Sequence, residues 1–320
     1  MKRFTKIFIF IDSADDDNPI NYFMIKKALR IARLSQVKIT ILSVIEEFIK
    51  PIDLSMARSF KTDLQKLKME KEKKFLDQLV GPFKNKRDVA IDTKVLAGVP
   101  FLTLIRDVLK EDQPLVMVAG NPVKSLRDRI FGTTTKHLLR KCPCPVWVFK
   151  PSKRTKFNRI LVTVDTNTEL ESERQLNFKL LELATSLSEL EGANLYILHC
   201  REIYGESLLT GPYSDLTPDE VDDYLLNAEN EANRRLNNFL LPFQAKFKVE
   251  NKHCIKGDPG RIVPQFLRVN KIDLIIMGTV ARTGIQGFLI GNTAERILEK
   301  VNCSVLAVKP DGFSSPVAID

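Results

Sequence analysis

The segment Lys271–Pro310 reads KIDLIIMGTVARTGIQGFLIGNTAERILEKVNCSVLAVKP, and its pattern decides the fold. The apolar run Leu274–Met277 is too short for a helix and is closed by Gly278, so it predicts a buried strand. Apolar residues then recur at helical spacing at Ala294, Ile297, Leu298 and Val301. The segment therefore predicts a strand, a glycine-rich loop, a helix and a second strand.

Glycines occur throughout the predicted loop, where they would let the backbone approach a ligand closely. They are Gly278, Gly284, Gly287 and Gly291. Asn292 and Thr293 then open the helix, whose first amides have no partner inside the helix and form a site for an anion. A tight surface loop without a ligand is the alternative, because glycine clusters also mark turns.

The length of 320 residues predicts about two domains, each large enough for its own core. The five cysteines are an odd number, and several lie in apolar runs, which is typical of reduced thiols in a cytoplasmic protein. Cys142 and Cys144 flank a proline, but no second pair stands at zinc-ligand spacing. We therefore expect neither a metal site nor redox chemistry there and interpret the pair as a rigid start to a strand.

Membrane and nucleic-acid classes are disfavoured by the distribution of apolar and basic residues. The N-terminal apolar run Ile7–Ile11 is too short for a signal peptide, and no run approaches the roughly 18 residues of a spanning helix. The formal net charge is +9, but the basic residues are scattered, apart from a concentration at 61–74 that a solvated helix face explains. No RNA-reading motif accompanies them, so we expect no nucleic-acid partner and no membrane span.

Two parts of the chain repeat each other. The run Phe4–Asp12 has a counterpart in Phe157–Asp165, offset by 153 positions (157 minus 4), and both runs end on an aspartate. Cys144–Pro151 likewise matches Cys303–Pro310 at an offset of 159 (303 minus 144). The same kinds of segment recur in the same order between these landmarks, so the sequence contains one domain twice.

Strands and helices alternate through both copies, which predicts a doubly wound parallel α/β sheet with right-handed crossovers. Ligands of such sheets bind beyond the carboxyl ends of the strands, where the winding reverses. The strand ends expected to meet there are Asp165, Cys200 and Gly278 in the second copy and Asp12, Val44 and Gly120 in the first.

The expected boundaries follow from the repeat. The first domain is 1–150, a polar linker is 151–156, and the second domain is 157–311. The tail 312–320 has no periodicity and is expected to fray. Two helix starts are marked clearly, by a capping box at Thr217–Glu220 and by Asp258 before a proline.

The glycine spacing resembles the Gly-x2-Gly-x9-Gly-Ser/Thr signature of the universal stress proteins. Gly278 and Gly291 occupy its first and third glycines, whereas Ala281 replaces the second and Asn292 stands where Ser or Thr is usual. The duplication, together with the sequences around these positions, resembles the E-type tandem members of the family.

This resemblance implies a cytoplasmic stress-response protein made of two Rossmann-like domains, each a five-stranded parallel sheet. The last strands of two such domains typically pair antiparallel, which here would join Val146–Phe149 to Val305–Val308. Some members of the family bind ATP and others do not. The resemblance leaves homodimers and protein partners open.

In members that bind ATP, the acid after the first strand and the backbone ending the second strand face the nucleoside, and the glycine loop wraps the phosphates. Carried onto this chain, the resemblance implies a site for ATP or another nucleotide, with Mg²⁺ only as its companion. The implied residues are Asp165, Thr166, Cys200, Gly278, Thr279, Arg282, Gly284, Gly291, Asn292 and Thr293. In this interpretation amides of Gly278, Gly291, Asn292 and Thr293 hold phosphate, Arg282 supplies charge, and Asp165 accepts from ribose or base.

The first copy fits the signature less well. Its loop from Gly120 to Gly132 spans twelve positions, one fewer than in the second copy, and Val123 replaces the second glycine. Pro122 stiffens the loop where glycine freedom would matter, although the closing Gly132 and Thr133 are kept. We expect this copy to be chiefly architectural, with Asp12, Gly120, Gly132 and Thr133 as its weaker site candidates.

The leading hypothesis is therefore a stress-response module that binds a nucleotide in its second domain without efficient catalysis. A slow nucleotide hydrolase and an interaction scaffold without a small ligand are the alternatives, and a ligand with an apolar part beside Ile285–Ile290 is a variant of the first. No Gly-x4-Gly-Lys-Ser/Thr loop is present, and no catalytic residue is assigned. The three histidines, His137, His199 and His253, are interpreted as packed or surface residues.

Overall fold

The computed structural model describes residues 4–12, 19–46, 57–84, 89–120, 131–150, 156–202, 216–279 and 290–318, with side chains from residue 62 onward in the second helix. The strands are β1 (Lys6–Phe10), β2 (Lys38–Ile45), β3 (Ile91–Ala97), β4 (Leu115–Ala119), β5 (Val146–Phe149), β6 (Arg159–Thr163), β7 (Asn194–Arg201), β8 (Lys252–Lys256), β9 (Leu274–Gly278) and β10 (Ser304–Val308). The α-helices are α1 (Ile20–Ser35), α2 (Ala57–Lys84), α3 (Pro100–Val108), α4 (Thr133–Lys141), α5 (Glu171–Glu191), α6 (Pro218–Leu240), α7 (Pro259–Val269) and α8 (Asn292–Leu298). Two short 3-10 helices, Leu241–Lys246 and Val249–Asn251, connect α6 to β8.

Each half of the chain forms a doubly wound parallel sheet. The strand order in the first half is β3-β2-β1-β4-β5, and the second half repeats it as β8-β7-β6-β9-β10. β1 pairs in parallel with both β2 and β4, and β6 pairs in parallel with both β7 and β9. The winding therefore reverses beside β1 and beside β6, which confirms the predicted fold class.

The two five-stranded sheets join into one sheet of ten strands. β5 and β10 pair antiparallel, with Val148 opposite Val305 and Val146 opposite Ala307. This confirms the pairing implied by the resemblance. The carboxyl ends of the two sets of parallel strands consequently lie at opposite edges of the joint sheet.

Apolar side chains cover both faces of the sheet, because the crossover helices lie on either side of it. On one face, α1, α2 and α5 pack on a cluster that includes Trp147, Phe149 and Phe157. On the other face, α3, α4, α7 and α8 pack on a second cluster that includes Val148 and Val305. Residues of both halves belong to each cluster, so the two copies share a continuous core across the seam.

A buried ion pair crosses the seam between α1 and α5. Lys27 Nζ contacts Glu191, and both side chains are almost completely buried. The Phe157 amide also donates to the Glu191 carboxylate, with its nitrogen 3.3 Å from Oε2. Lys27 Nζ also lies over the rings of Phe23 and Phe157, about 5 Å from each centroid. Burial lowers the pKa of Lys27, and the hydrogen bond to Glu191 opposes that shift.

The helix starts predicted from sequence are confirmed. Thr217 and Glu220 form a reciprocal capping box at the start of α6, with a proline at the first helical position. Asp258 Oδ1 accepts the Gly260 amide at the start of α7, at 3.3 Å. Within the described residues, no helix is both long enough and apolar enough to cross a membrane.

The expectation that the tail frays is wrong for its described part, 312–318. Ser315 Oγ donates to the Lys141 carbonyl at 2.8 Å, and Val317 is buried in the second core cluster. Periodicity did not reveal this because the tail packs as an extended segment on the first half, and only the tertiary structure brings α4 beside it.

Candidate functional site

Three strand ends meet at the edge of the second half where the winding reverses. β6 lies between β7 and β9, with Thr163 opposite Leu198 and Val162 opposite Ile276. Asp165, Cys200 and Gly278 therefore lie at the same edge, at or just beyond the ends of three adjacent strands. This is the position at which open parallel sheets bind their ligands.

Asp165 forms a tight turn that is held by one buried side chain. Its amide donates to Asn177 Oδ1 at 3.1 Å, and Asn177 Nδ2 donates back to its carbonyl at 2.6 Å. Asp165 Oδ1 accepts the Asn167 amide at 3.0 Å, which closes an Asx turn. Thr166 lies within this turn, and its hydroxyl is buried without a hydrogen-bond partner in the described part of the chain.

His199 contacts the residue that precedes this turn. Its side chain is fully buried, and its Nδ1 lies 3.1 Å from the Val164 carbonyl oxygen. When the proton is on Nδ1, the ring donates a hydrogen bond to that carbonyl. The imidazole therefore ties β7 to the residue before Asp165. This confirms that His199 is a packed histidine.

The Cys200 thiol is half-buried at the end of β7. Burial first, and then neighbouring groups that include Asp258 and Asp165, raise its pKa to about 12. The thiol is therefore protonated at neutral pH, and the residue can offer a ligand backbone groups and an apolar wall rather than a nucleophile.

The two ends of the glycine loop are tied together. The Gly291 amide donates to the Thr279 carbonyl at 3.0 Å, and the Thr279 amide donates to Val308 at 3.1 Å. Thr279 is fully buried, whereas Asn292 and Thr293 are exposed at the start of α8. The Gly291 amide is thus engaged within the protein, and the amides of Asn292 and Thr293 begin the helix.

The middle of this loop, 280–289, lies outside the described residues. The predicted contributions of Arg282, of Gly284 and of the Ile285–Ile290 segment, except Ile290 itself, fall in this part. Ala281 and Gly287 lie there as well. Ile290 itself is buried and packs in the second core cluster.

Gly278 has a packing partner. A Cβ at this position would lie 2.9 Å from Leu176 Cδ2, so the glycine lets the Leu176 side chain of α5 pack closely against the end of β9. The space beside Gly278 is therefore occupied by an apolar side chain of the protein itself. Sequence spacing suggested a ligand there instead, because it does not identify which residue of α5 lies opposite.

An ion pair fastens α8 to the start of α7 beside the strand ends. Arg296 donates to Asp258 through two nitrogens, at 3.2 and 2.5 Å. The guanidinium lies against Gly260, where a Cβ would approach its Cζ to 2.9 Å. Asp258 was predicted only as a helix cap and Arg296 was not singled out; Asn177 was also missed, although a buried amide on an otherwise apolar helix face is a signal for it.

The first half places its weaker candidates at the corresponding strand ends. The Ile11 amide donates to the Leu42 carbonyl at 2.9 Å, as Val164 does to Leu198, and Asp12 is exposed. The Gly120 amide donates to the Phe149 carbonyl at 2.7 Å, and Gly132 caps α4, which begins at Thr133. The loop 121–130, with Pro122 and Val123, lies outside the described residues.

Comparison with known proteins gives a consistent result across the chain. The profile of the Universal stress protein family matches residues 11–150 and again residues 156–309. Universal stress protein E of Escherichia coli is 27% identical over 330 residues, covering 100% of this chain and 98% of that protein. Universal stress protein E of Salmonella typhi is 31% identical over 242 residues, or 72% of each chain. A Pseudomonas aeruginosa structure assigned to the universal stress proteins aligns over 98% of this chain and 95% of its own, with a TM-score of 0.68; at 21% identity this likeness shows the fold alone.

Proposed function

The chain belongs to the universal stress protein family as a tandem protein similar to universal stress protein E, and we propose that its second half binds ATP or another nucleotide-containing ligand without efficient catalysis. The protein would act as a stress-response module in the cytoplasm. The domain boundaries proposed for it remain 1–150 and 157–311, joined by a linker at 151–156.

The bond between Gly291 and Thr279 carries this proposal. By tying the two ends of the glycine loop together, it brings the start of α8 to the end of β9, next to β6. Among the described residues no side chain caps this helix start, so its first amides would be available to a phosphate. Asn292 and Thr293 would supply those amides, with Mg²⁺ entering only with the nucleotide.

The nucleoside would lie against the ends of β6 and β7. Asp165 is held in a fixed turn with an oxygen that can accept from ribose or base, and the Cys200 backbone flanks it. The Thr166 hydroxyl, buried without a described partner, is a further donor on that side. The first half would serve mainly as architecture, because Asp12 and Gly120 lack a comparable loop signature.

Efficient hydrolysis has little support in the described residues. His199 is used to hold Val164, and the Cys200 thiol is protonated at neutral pH. Slow turnover remains the alternative that an assay with purified protein addresses.

A specific observation favours the scaffold alternative. Leu176 fills the space over Gly278, so the glycine at the start of the loop has a purely structural reason. In a scaffold without a small ligand, protein partners or a second copy of the chain would be the binding targets instead.

The direct test is the shift in unfolding free energy on adding ATP and magnesium to the full chain. At a hundred times the dissociation constant a specific ligand adds about 2.7 kcal/mol. Asp165→Asn keeps an oxygen for the Asn167 amide while removing the charge, and it should weaken binding. The matched variant Asp12→Asn in the first half should bind like the wild type.

The variant Leu176→Ala distinguishes nucleotide binding from the scaffold alternative. If nucleotide binds the wild type and binds Leu176→Ala at least as well, the site is open and the proposal holds. If only Leu176→Ala binds, the wild-type site is occluded; if neither binds at millimolar ligand, the scaffold alternative replaces the nucleotide proposal.

A further inference from the structure

Two thiols lie side by side at a corner of the first half that the nucleotide proposal does not use. Cys142 follows α4 and Cys144 precedes β5, and their sulfur atoms are 3.4 Å apart. Both side chains are buried, Cys142 completely and Cys144 to within 6% of full burial. The pair is close enough for one thiol to donate to the other, and a disulfide would bring the two sulfurs from 3.4 Å to about 2.05 Å.

A buried cation from the second half faces this pair. Lys309 is 4% exposed, and its Nζ donates to the carbonyls of Leu139 and Cys142, both at 2.8 Å. No carboxylate in the described part of the chain forms an ion pair with it. The thiols are the acidic groups that act on it: burial lowers the pKa of Lys309 to about 8, and Cys142 and Cys144 oppose that shift.

The two thiols differ in how readily they lose a proton. The hydrogen bond from Cys144 and the charge of Lys309 lower the pKa of Cys142, whereas burial and the neighbouring sulfur raise that of Cys144 well above its usual range. Cys142 is therefore the thiol of the pair that ionises more readily. A thiolate is the nucleophilic form of cysteine.

A cavity at the seam between the halves reaches the Cys144 side of the pair, and Cys142 lies directly behind it, with its sulfur 3.4 Å from that of Cys144. The cavity has a volume of about 460 Å³, and Pro143, Cys144 and Pro145 line it on one side while 310–313 line it on the other. The volume holds several water molecules and therefore also hydrogen peroxide, which is only slightly larger than water.

The repeat supplies a built-in control at the corresponding corner of the second half. At the offset of 159, Cys303 matches Cys144 and Lys150 matches Lys309, but Val301 stands in place of Cys142. Lys150 donates to the Asn302 carbonyl and is partly exposed. Burial raises the pKa of Cys303 to about 12, so this thiol has neither a neighbouring sulfur nor an ionised state at neutral pH.

We propose that Cys142 and Cys144 form an oxidation site at which hydrogen peroxide converts the buried dithiol into a disulfide. The Cys142 thiolate attacks a peroxide oxygen; an S–O bond forms, the O–O bond breaks, and hydroxide leaves. The Cys144 sulfur then attacks the resulting sulfenic acid; the S–S bond forms, the S–O bond breaks, and the Cys144 proton leaves with the hydroxyl group as water. One thiolate, one thiol and one peroxide thus give one disulfide, one water and one hydroxide.

The test is peroxide titration of the reduced, full-length chain, followed by intact and peptide mass spectrometry. The wild type should lose two hydrogen atoms, localised to the peptide that contains both cysteines, while Cys303 stays reduced. Cys144→Ser should stop at a sulfenic acid on Cys142 that dimedone traps. Cys142→Ser should react at least about tenfold more slowly, because the remaining thiol is protonated.

Lys309→Met provides a second variant in which both thiols remain and only the charge is removed. It should slow oxidation while leaving the final disulfide the same, and near-ultraviolet circular dichroism checks that every variant keeps its packing. Oxidation of Cys303 at the same rate as the pair, or equal rates in the wild type and Cys142→Ser, would overturn the proposal.

Discussion

Arg296 lies over Gly260 and binds Asp258 in the second half, whereas the first half holds His137, Phe101 and Val99 at the three corresponding positions. The His137 and Phe101 rings are stacked there, with centroids 4.0 Å apart and an angle of 18° between the planes. Both corners begin with a glycine at positive φ, Gly257 at 134° and Gly98 at 139°.

The difference between the corners shows how duplicated domains diverge while the backbone is retained. The same turn leads from strand to helix in both, because glycine is available at the one position where the chain needs it. The side chains above that turn then differ freely. The second half keeps a charged corner beside its candidate site, and the first half replaces it with aromatic packing.

The seam between the halves is uneven in a similar way. On one face of the sheet Lys27 and Glu191 form a buried pair, and on the other face Arg140 and Glu295 form a pair that is about 40% exposed on each side. Both ion pairs join the two halves across the seam. Their burial determines how much the free energy of unfolding falls when one partner is removed.

The largest expected effect comes from breaking the buried pair. Glu191→Ala leaves the Lys27 ammonium buried without its carboxylate, so the free energy of unfolding should fall by about 3–5 kcal/mol. Glu295→Ala on the exposed face should cost about 0–1 kcal/mol. Denaturant unfolding of both variants measures the contrast, and equal losses would show that the two sides of the seam are equivalent.

Copying the first-half residue into the second half should have the next largest effect. Gly260→Phe displaces the Arg296 guanidinium, because even a Cβ would lie 2.9 Å from its Cζ, and overpacking of this kind costs about 1–3 kcal/mol. Gly81→Ala is the control, since a Cβ there meets nothing within 4 Å and should stabilise α2 by about 0.5–1 kcal/mol. An unfolding midpoint for Gly260→Phe equal to that of the wild type would show that this corner accepts an aromatic side chain as readily as the glycine beneath Arg296.

Removing the acid of the charged corner should cost less. Asp258→Ala loses the cap of the Gly260 amide and both contacts with Arg296, and we expect a loss of about 1–2 kcal/mol. Val99→Ala at the matching, exposed position should change stability by no more than about 0.5 kcal/mol. Thermal and denaturant unfolding of the two variants compare them directly, and a larger loss at Val99 would reverse the interpretation.

The smallest effect is the pH dependence that His137 contributes at the first-half corner. Burial first, then the charges of Lys141 and Arg140, lowers the pKa of His137 below its usual 6.5. Because the unfolded chain then binds the proton more readily, stability should decrease as the pH falls below 6.5. His137→Gln should remove this part of the acid sensitivity; an identical pH profile for the variant would exclude His137 as its source.

Much of the architecture could be predicted because it depends on local patterns. Apolar runs closed by a glycine or an acid marked the strands, and the matching landmarks of the two copies were enough to establish the duplication. The capping box at Thr217–Glu220 was predictable because cap and helix are adjacent in the chain. The candidate site was predictable only as a position, since parallel strands bring Asp165 and Gly278 to one edge.

The partners at that edge were not predictable from spacing. Leu176 over Gly278, Asn177 around Asp165 and Arg296 on Asp258 each join residues from different elements. Sequence periodicity gives the face of a helix but not its rotation and shift against a neighbouring strand, which set such contacts. The packed tail at 312–318 was missed for the same reason.

The sequence by itself determined the duplicated α/β architecture, the strand ends of the candidate site and the helix caps, because each depends on residues close together in the chain. Only the tertiary structure decided which side chains fill the space at Gly278, how the seam distributes its charges, and that Lys309 faces the two thiols. Those contacts join residues from separate elements, and in several cases from separate halves. Their geometry depends on how the whole sheet packs, which no local pattern specifies.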